Sequence, residues 1–326
     1  MQFFHRWLRT AQIGAVACIL AACGALPSGH PSVRHPLSNK VWDVSAQRPV
    51  APDTVVERAL AAKFVLLGEI HDDAEHHRLQ ALILQQLIKG GRRPALVLEQ
   101  FDTDQQAAID AILSDGKPLD LQLMALSERM RKSWDWPVYE PIVRTAVQNG
   151  LPLVAANLSR ESLRLVGRDG YAALGPNEEQ RLALAPVWNA QRQAQMVRDI
   201  SGGHCGRLSE QMGENISKSQ RARDAVIADV MLKHQDSGAV VILGRNHARS
   251  DMAVPIYLTA RAPQLSVLTL TFTEVAAPTD AQAYSHGALG QMFDYVWFTP
   301  PVLRKNNPCA DLPKLPGPVA GASAAQ

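Results

Sequence analysis

The sequence lacks the short motifs that mark the commonest nucleotide-binding and hydrolase folds. Its 326 residues contain no G-x-G-x-x-G, no G-x-x-x-x-G-K-[ST] and no G-x-S-x-G. These absences argue against a dinucleotide site, a P-loop and the nucleophile elbow of ordinary α/β-hydrolases. The H-x-x-x-x-H-H spacing that begins at His71 also differs from the H-E-x-x-H motif of zinc proteases.

The chain also has little excess charge. It carries 33 basic and 31 acidic side chains, and two of the basic ones, Arg6 and Arg9, lie in the first 22 residues, where there are no acids. The remaining chain therefore has 31 of each, which is not the electrostatic footprint of a nucleic-acid-binding protein. With 46% hydrophobic and 20% charged residues, the composition indicates a folded protein with a substantial core.

The N-terminus has the pattern of a targeting segment. An apolar run over residues 13–22 follows two arginines and is too short to span a bilayer comfortably, so we predict a signal peptide at residues 1–22. The run ends in Leu-Ala-Ala-Cys, which resembles a bacterial lipobox, and this predicts lipidation of Cys23. An uncleaved N-terminal anchor is the alternative and would leave the protein on the same side of the membrane.

Cysteine is scarce, with four residues in the whole chain. Cys18 would leave with the signal peptide and Cys23 would carry lipid. Cys205 and Cys309 then remain in an oxidising compartment, where a disulfide between them is expected. A metal or haem ligand at Cys205 is the alternative.

Apolar runs separated by helical segments predict an α/β fold with a mostly parallel central sheet flanked by helices. Strands are predicted at 63–67, 95–98, 151–155, 239–243 and 265–272, with an edge strand at 293–298. We predict a tether at 23–52, a single domain at 53–300 with a large helical insertion at about 160–237 between the third and fourth strands, and a loosely attached tail at 301–326. The first core strand leads into a helix capped by Asp72 or Asp73.

Polar side chains follow the ends of four successive predicted strands. They are Glu69 with His71, then Glu99, Asn157 and His247. Because parallel strands bring their carboxyl ends to one edge of a sheet, these groups are expected to share a crevice. In the following helix, consecutive residues point about 100° apart, so at most one of His76 and His77 should face that crevice and the other should face solvent.

Three chemistries suit this set of residues. A divalent metal would take His71, Glu99 and His247 as ligands and keep an open position for water. Metal-free hydrolysis would use Glu69 or His71 as a general base. Haem needs an axial ligand and an apolar slot, which histidines or tyrosines beside the cleft would supply.

The motifs in combination resemble one family. LLGEIHDDAEHHRLQ, LEQFD, WDWPVYEP, AANLSR, the SQRARD helix and VILGRNHARSDMAVPIYL occur in this order behind the lipobox. Together they resemble the ChaN-like haem-binding lipoproteins, which belong to a wider group with the Tiki/TraB metalloproteases and the erythromycin esterases. The shared elements are the Gly-Glu at 68–69 and the Gly-x-x-His at 244–247.

The resemblance implies an outer-membrane lipoprotein for haem and iron uptake, which dimerises around stacked haems with a tyrosine ligand and a partner histidine. The candidate cofactor-binding residues are Tyr139, His204, Asn157 and His77. A haem-binding protein of iron acquisition, acting with outer-membrane uptake machinery, is the leading hypothesis. The alternatives are an envelope metal-dependent hydrolase or peptidase with Glu69, His71, Glu99 and His247 as catalytic residues, and an envelope interaction protein with a vestigial cleft.

Overall fold

One mixed sheet organises the part of the chain that the computed structural model describes, which is residues 35–130, 132–275, 291–304 and 309. Its eight strands are β1 (Val41–Asp43), β2 (Arg48–Val50), β3 (Phe64–Glu69), β4 (Ala95–Asp102), β5 (Leu153–Asn157), β6 (Ala239–Gly244), β7 (Val267–Glu274) and β8 (Tyr295–Thr299). The strand order is β2-β1-β8-β7-β3-β6-β4-β5. The predicted signal peptide, Cys23 and most of the predicted tail lie outside the described residues.

Ten helices flank the sheet in the described residues. They are α1 (Pro52–Ala61), α2 (Ala74–Lys89), α3 (Gln106–Ser114), α4 (Leu119–Arg129), α5 (Trp136–Gln148), α6 (Arg160–Asp169), α7 (Glu178–Arg181), α8 (Ala190–Gly203), α9 (Glu210–Leu232) and α10 (Val254–Arg261). Within the described ranges, none of them is both long and apolar enough to cross a membrane. The predicted α/β class with a mostly parallel sheet is confirmed.

The order of the strands places a switch point in the middle of the sheet. The six strands from β8 to β5 run parallel, and β6 returns between β3 and β4 after the chain has passed through β5. Crevices at the carboxyl ends of strands form where the order of a parallel sheet reverses. The ends of β3, β6 and β4 are therefore the expected place for a site.

Both faces of the sheet are covered, which explains why the central strands are apolar throughout. Alternate side chains of a strand point to opposite faces. In β3, Val65 and Leu67 join one apolar core with residues of α1, α2 and α5, whereas Phe64 and Leu66 join a second core with residues of α9 and α10. Such burial on both sides is typical of parallel sheets.

The N-terminal part of the fold differs from the prediction. Residues 41–43 and 48–50, predicted as tether, form the antiparallel pair β1–β2, and β1 pairs with β8. The predicted edge strand at 293–298 is consequently β8, which lies inside the sheet between β1 and β7. His35, within the predicted tether, is buried with 8% of its surface exposed. Strands of three residues, one containing Pro49, are too short for periodicity to reveal.

Helices α6–α9 follow β5, and no strand occurs among residues 158–238, all of which the structure describes. Within the predicted helical insertion, α7 and α8 are separate helices, and α8 ends at Gly203, next to His204. The Sγ atoms of Cys205 and Cys309 are bonded, across a sequence separation of 104 residues.

The outer strand β5 has a side chain along its free side. Gln106 donates from Nε2 to the carbonyl oxygen of Leu153 at 3.0 Å, and its Oε1 accepts from the amide of Ala155 at 2.7 Å. One side-chain amide thus satisfies an acceptor and a donor that a neighbouring strand would otherwise bond.

Candidate functional site

A cavity of about 470 Å³ opens at the carboxyl ends of the central strands. Four of the predicted residues line it, and they are Glu69 at the end of β3, His71 after it, Glu99 in β4 and His247 after β6. The predicted His204, just beyond α8, lines it from the helical side. The parallel sheet therefore brings these five residues from distant parts of the sequence into one cavity.

Glu69 is the centre of a buried hydrogen-bond network under this cavity. The carboxylate is 1% exposed. It accepts hydrogen bonds from Tyr139 Oη at 2.7 Å, Gln80 Nε2 at 2.8 Å and Gln100 Nε2 at 3.3 Å, and it lies 3.0 Å from His71 Nδ1 and 3.1 Å from His77 Nδ1. Five side chains thus fix the position of one buried carboxylate.

The surroundings of Glu69 keep it ionised. Burial alone would raise its pKa, but His77 and His71 outweigh burial and lower the pKa to about 2. Both ring nitrogens of His77 face acceptors, since Nε2 lies 3.0 Å from the carbonyl oxygen of His71. Burial lowers the pKa of His77, but Glu69 outweighs it and the net pKa is raised, so the pair is an ion pair. Burial and the Glu69 charge raise the pKa of the Tyr139 hydroxyl.

His71 is the residue that connects this network to the cavity. Its Nδ1 faces the ionised Glu69, so in the neutral ring Nδ1–H donates and the lone pair is on Nε2. The ring fits against Gly244, where an added Cβ would lie 2.8 Å from His71 Cε1, and the Trp134 ring packs edge-on against it at 4.6 Å. The His71 side chain is 46% exposed. A carboxylate-supported imidazole therefore presents a free nitrogen.

A second acid–histidine pair lines the same cavity. His247 Nδ1 lies 2.5 Å from Asp224 Oδ1, and its Nε2 lies 3.6 Å from Glu99 Oε1. Glu99 also accepts from the amide of Gly244 at 2.8 Å. The guanidinium of Arg223 lies next to Glu99 and His247, 3.5 Å from the Glu99 carboxylate and 3.4 Å from His247 Nε2.

Charges within this second group act on one another. Burial raises the pKa of Asp224. Burial would lower the pKa of His247, but Asp224 and Glu99 outweigh it and raise that pKa above its ordinary value. Burial would raise the pKa of Glu99, but His247 and Arg223 lower it.

The predicted metal ligands do not assemble into a metal site. His71 is bonded to Glu69, and Arg223 occupies the place beside Glu99 and His247 where a cation would bind. Among the described residues there is no group of three or more His, Cys, Asp or Glu side chains arranged to hold a metal ion. The prediction of a divalent metal at His71, Glu99 and His247 is therefore not supported.

Three other predicted residues lie away from the cavity. Tyr139 is fully buried and its hydroxyl is bonded to Glu69, so in this structure it does not fit the role of an iron ligand. Both nitrogens of His77 are engaged below the site. The side-chain amide of Asn157 links Glu99 to Arg223. It donates to the carbonyl oxygen of Glu99 at 2.9 Å and accepts from Arg223 at 3.0 Å. Asn157 therefore supports two residues of the site without lining the cavity.

The prediction that one of His76 and His77 faces solvent is wrong, because both are buried. His76 Nδ1 accepts from the amide of Ile70 at 3.0 Å, and its Nε2 lies 2.9 Å from Thr299 Oγ1 in β8 and 3.0 Å from Asp73. Burial lowers the pKa of His76 to about 4, so this contact is a hydrogen bond of a neutral ring and not an ion pair. Asp73 caps α2, as predicted.

An apolar wall with one further imidazole faces the two acid–histidine pairs. His204 Nδ1 lies 2.7 Å from the carbonyl oxygen of Ile200, so Nδ1–H donates and the Nε2 lone pair is unprotonated in the neutral ring. The apolar side chains of the lining are Ile70, Trp134, Met196, Ile200, Ile216 and Met252. The cavity thus combines an apolar wall with imidazoles of fixed orientation.

The comparisons with known proteins agree with this architecture. Residues 55–258 match the model of a family described as "Haem-binding uptake, Tiki superfamily, ChaN". The chain belongs to this family. No curated protein matches the chain in sequence at a significant level.

Two solved structures align with most of this chain. ChaN of Campylobacter jejuni, described with cofacial haem binding, has a TM-score of 0.64 and 20% identity over 79% of this chain and 95% of that chain. A mutant of the erythromycin esterase EreC in its open conformation has a TM-score of 0.45 and 12% identity over 81% of this chain and 97% of that chain. The first of these likenesses shows that the ChaN fold is shared.

Sequence reasoning missed several members of the site. Arg223 and Asp224 lie on α9, where the surrounding pattern is that of a polar amphipathic helix, and Gln80 lies on α2. Asp224 is 1% exposed, and Gln80 is fully buried. The available signal was the placement of polar residues at positions that should face the sheet.

Proposed function

We propose that this protein binds haem in the cavity above Glu69 and serves haem or iron acquisition as an outer-membrane lipoprotein. The observation that carries the proposal is the combination of the apolar wall with His71 and His204, whose Nδ1 atoms are engaged by Glu69 and by the Ile200 carbonyl. Haem requires an apolar slot and an axial ligand, and imidazoles held through Nδ1 are oriented to ligate through Nε2. The residues present therefore fit the group.

The chain's own residues would divide the work as follows. Met196, Ile216 and Trp134 would cover the macrocycle and exclude water. His71 and His204 are the candidates that would hold the iron, and Glu69 would orient His71 and increase its basicity. The bound haem would supply iron that is either carried or delivered. Lipidation at Cys23, dimerisation on haem and contact with outer-membrane uptake machinery complete the proposal and follow from the family resemblance.

Haem titration of the purified protein tests this function. We expect stoichiometric binding with a Soret band, and we expect His71→Ala or His204→Ala to weaken binding by at least about tenfold and to shift the band, because an axial ligand is lost. Tyr139→Phe should leave the band in place, since the Tyr139 hydroxyl points to Glu69.

His234→Ala is the matched control for these variants, since His234 lines a different cavity, at the opposite edge of the sheet. It should bind haem like the wild type. Absence of stoichiometric haem binding by the wild type would refute the proposal. Loss of the band in Tyr139→Phe, with both histidine variants unchanged, would instead move the ligand to Tyr139.

The two acid–histidine pairs favour a second candidate function, metal-free hydrolysis of an ester or amide. A carboxylate that accepts from Nδ1–H leaves Nε2 as a base toward water, and His247 on Asp224 and His71 on Glu69 both have this arrangement. Arg223, next to His247, is the cation that would stabilise the negative charge on a developing oxyanion.

Activated aryl esters and model peptides are suitable probes of this second function. If it operates, turnover should be insensitive to chelators and Asp224→Asn should lower kcat by about 10² to 10⁴-fold, because His247 would lose its oriented tautomer. Glu75→Gln on the exposed start of α2 is the control. Equal rates in the wild type and in a His71→Ala/His247→Ala double variant would refute hydrolysis.

A further inference from the structure

Arg245 directly follows the C-terminal end of the central strand β6. It is the first residue of the short turn that follows Gly244, and it lines the cavity. Its backbone is packed tightly on β3, because a Cβ at Gly68 would come within 2.9 Å of Arg245 Cα. The backbone of Arg245 is therefore fixed by the sheet and does not depend on a loose loop.

The arginines that line the cavity differ in their partners. Arg249 is paired with Asp251 at 2.9 and 2.7 Å and with Asp199 at 2.6 Å. Arg223 bonds Asn157 at 3.0 Å and Gln220 at 2.9 Å.

Arg245, in contrast, has neither a hydrogen bond nor an ion pair to any residue within the described ranges, although it is half-buried. Glu274, the carboxylate that acts electrostatically on Arg245, is already held by Arg304 at 2.6 and 2.9 Å. A partly desolvated guanidinium without a partner is unfavourable, and its planar fork of donors matches a carboxylate. Among the arginines that line the cavity, Arg245 is the one without a hydrogen-bonded partner in the described part of the chain, so it is open to an anionic ligand.

We propose that Arg245 is the anion-binding residue of the cavity and pairs with a propionate carboxylate of the bound tetrapyrrole. This inference rests on the proposed haem function and adds to it the orientation of the ligand. The apolar wall would cover the macrocycle, while Arg245 would hold its carboxylate edge. Two polar groups with separate tasks, an imidazole for iron and a guanidinium for the carboxylate, would then fix the ligand in one orientation.

Metal-free protoporphyrin IX and its dimethyl ester separate carboxylate recognition from iron ligation. In fluorescence titrations the wild type should bind the free acid about 10- to 100-fold more tightly than the ester, because the ester cannot form the charged pair. Arg245→Gln should lose this preference and bind the ester with unchanged affinity. Arg245→Lys, which keeps the charge without the fork, should lie between them.

Arg168→Gln is the control for the loss of one positive charge, since Arg168 lies outside the cavity lining and pairs with Asp169. It should keep the full preference for the free acid. Thermal unfolding of each variant identifies a fold defect. If Arg245→Gln does not fold, the preference of Arg245→Lys for the free acid over the ester tests the inference instead.

The outcomes separate this inference from the haem function. Should Arg245→Gln keep the preference for the free acid, or lose affinity equally for acid and ester, Arg245 is not the carboxylate partner, while haem binding by the wild type stands. Should the wild type bind neither porphyrin nor haem, the proposed function itself fails, and this inference fails with it.

Discussion

Glu69→Gln should lower the free energy of unfolding by about 3 to 5 kcal/mol, which is the usual cost of breaking a buried ion pair from one side. The substitution keeps the size of the side chain but leaves the buried His77 imidazolium without its counter-charge, and it disturbs the hydrogen bond of Tyr139. Denaturant unfolding at neutral pH measures the effect.

The effect of Glu69→Gln should also depend on pH in a defined direction. The pKa of Glu69 is lowered from 4.5 to about 2 in the fold, so the carboxylate stabilises the protein fully above pH 4.5 and loses this contribution as the pH falls toward 2. The difference in free energy of unfolding between the wild type and Glu69→Gln should therefore decrease as the pH falls from 4.5 toward 2.

Glu75→Gln is the matched control for Glu69→Gln. Glu75 pairs with Arg78 at 2.7 Å on the surface of α2, with side chains 35% and 60% exposed. Exposed pairs contribute about 0 to 1 kcal/mol, so this variant should unfold almost like the wild type. Equal stability losses in both variants would contradict the central role assigned to the Glu69 network.

The bond between Cys205 and Cys309 should contribute the second large effect. It closes a loop of 104 residues, and restricting an unfolded chain by a loop of about this length corresponds to about 4 to 5 kcal/mol in the chain-entropy model, with measured losses of about 2 to 5 kcal/mol. A Cys205→Ser/Cys309→Ser double variant should therefore unfold at clearly lower denaturant concentration.

Chemical reduction supplies the control for that variant. Reducing agent should destabilise the wild type to the level of the double variant and should leave the double variant unchanged. His204 precedes Cys205 in the chain and lines the cavity. Haem titration of the same samples should therefore show whether the cavity wall depends on the disulfide. Coincident unfolding of oxidised wild type and double variant would contradict the prediction.

The central strands and the cavity were accessible from sequence because both rest on local patterns. An apolar run that ends in Gly-Glu or in Gly-Arg-Asn-His predicts a buried parallel strand with polar groups at its carboxyl end. Parallel pairing then puts Glu69, Glu99 and His247 on the same edge of the sheet, and the order β3-β6-β4 makes their strands neighbours. The convergence follows from topology, and no knowledge of side-chain contacts was needed.

What the sequence did not reveal depends on contacts between distant segments. The 100° separation of His76 and His77 was correct, but β8 covers one side of the start of α2 through Thr299 and Glu69 lies on the other. Both histidines are therefore buried. In the same way, the predicted metal site failed because Arg223, which the sequence pattern did not place in the site, lies next to Glu99 and His247.

The amide of Gln106 along β5 has a consequence for self-association. A sheet edge with free donors and acceptors recruits another strand, which leads to edge-to-edge aggregation. Here one edge is partly blocked by Gln106, and the other is β2, a strand of three residues with a proline at its centre. Among the residues that the structure describes, neither border of the sheet offers a long template for another copy, so we expect a pair of these molecules to meet through helical or loop surfaces, with no sheet continuing from one molecule to the other.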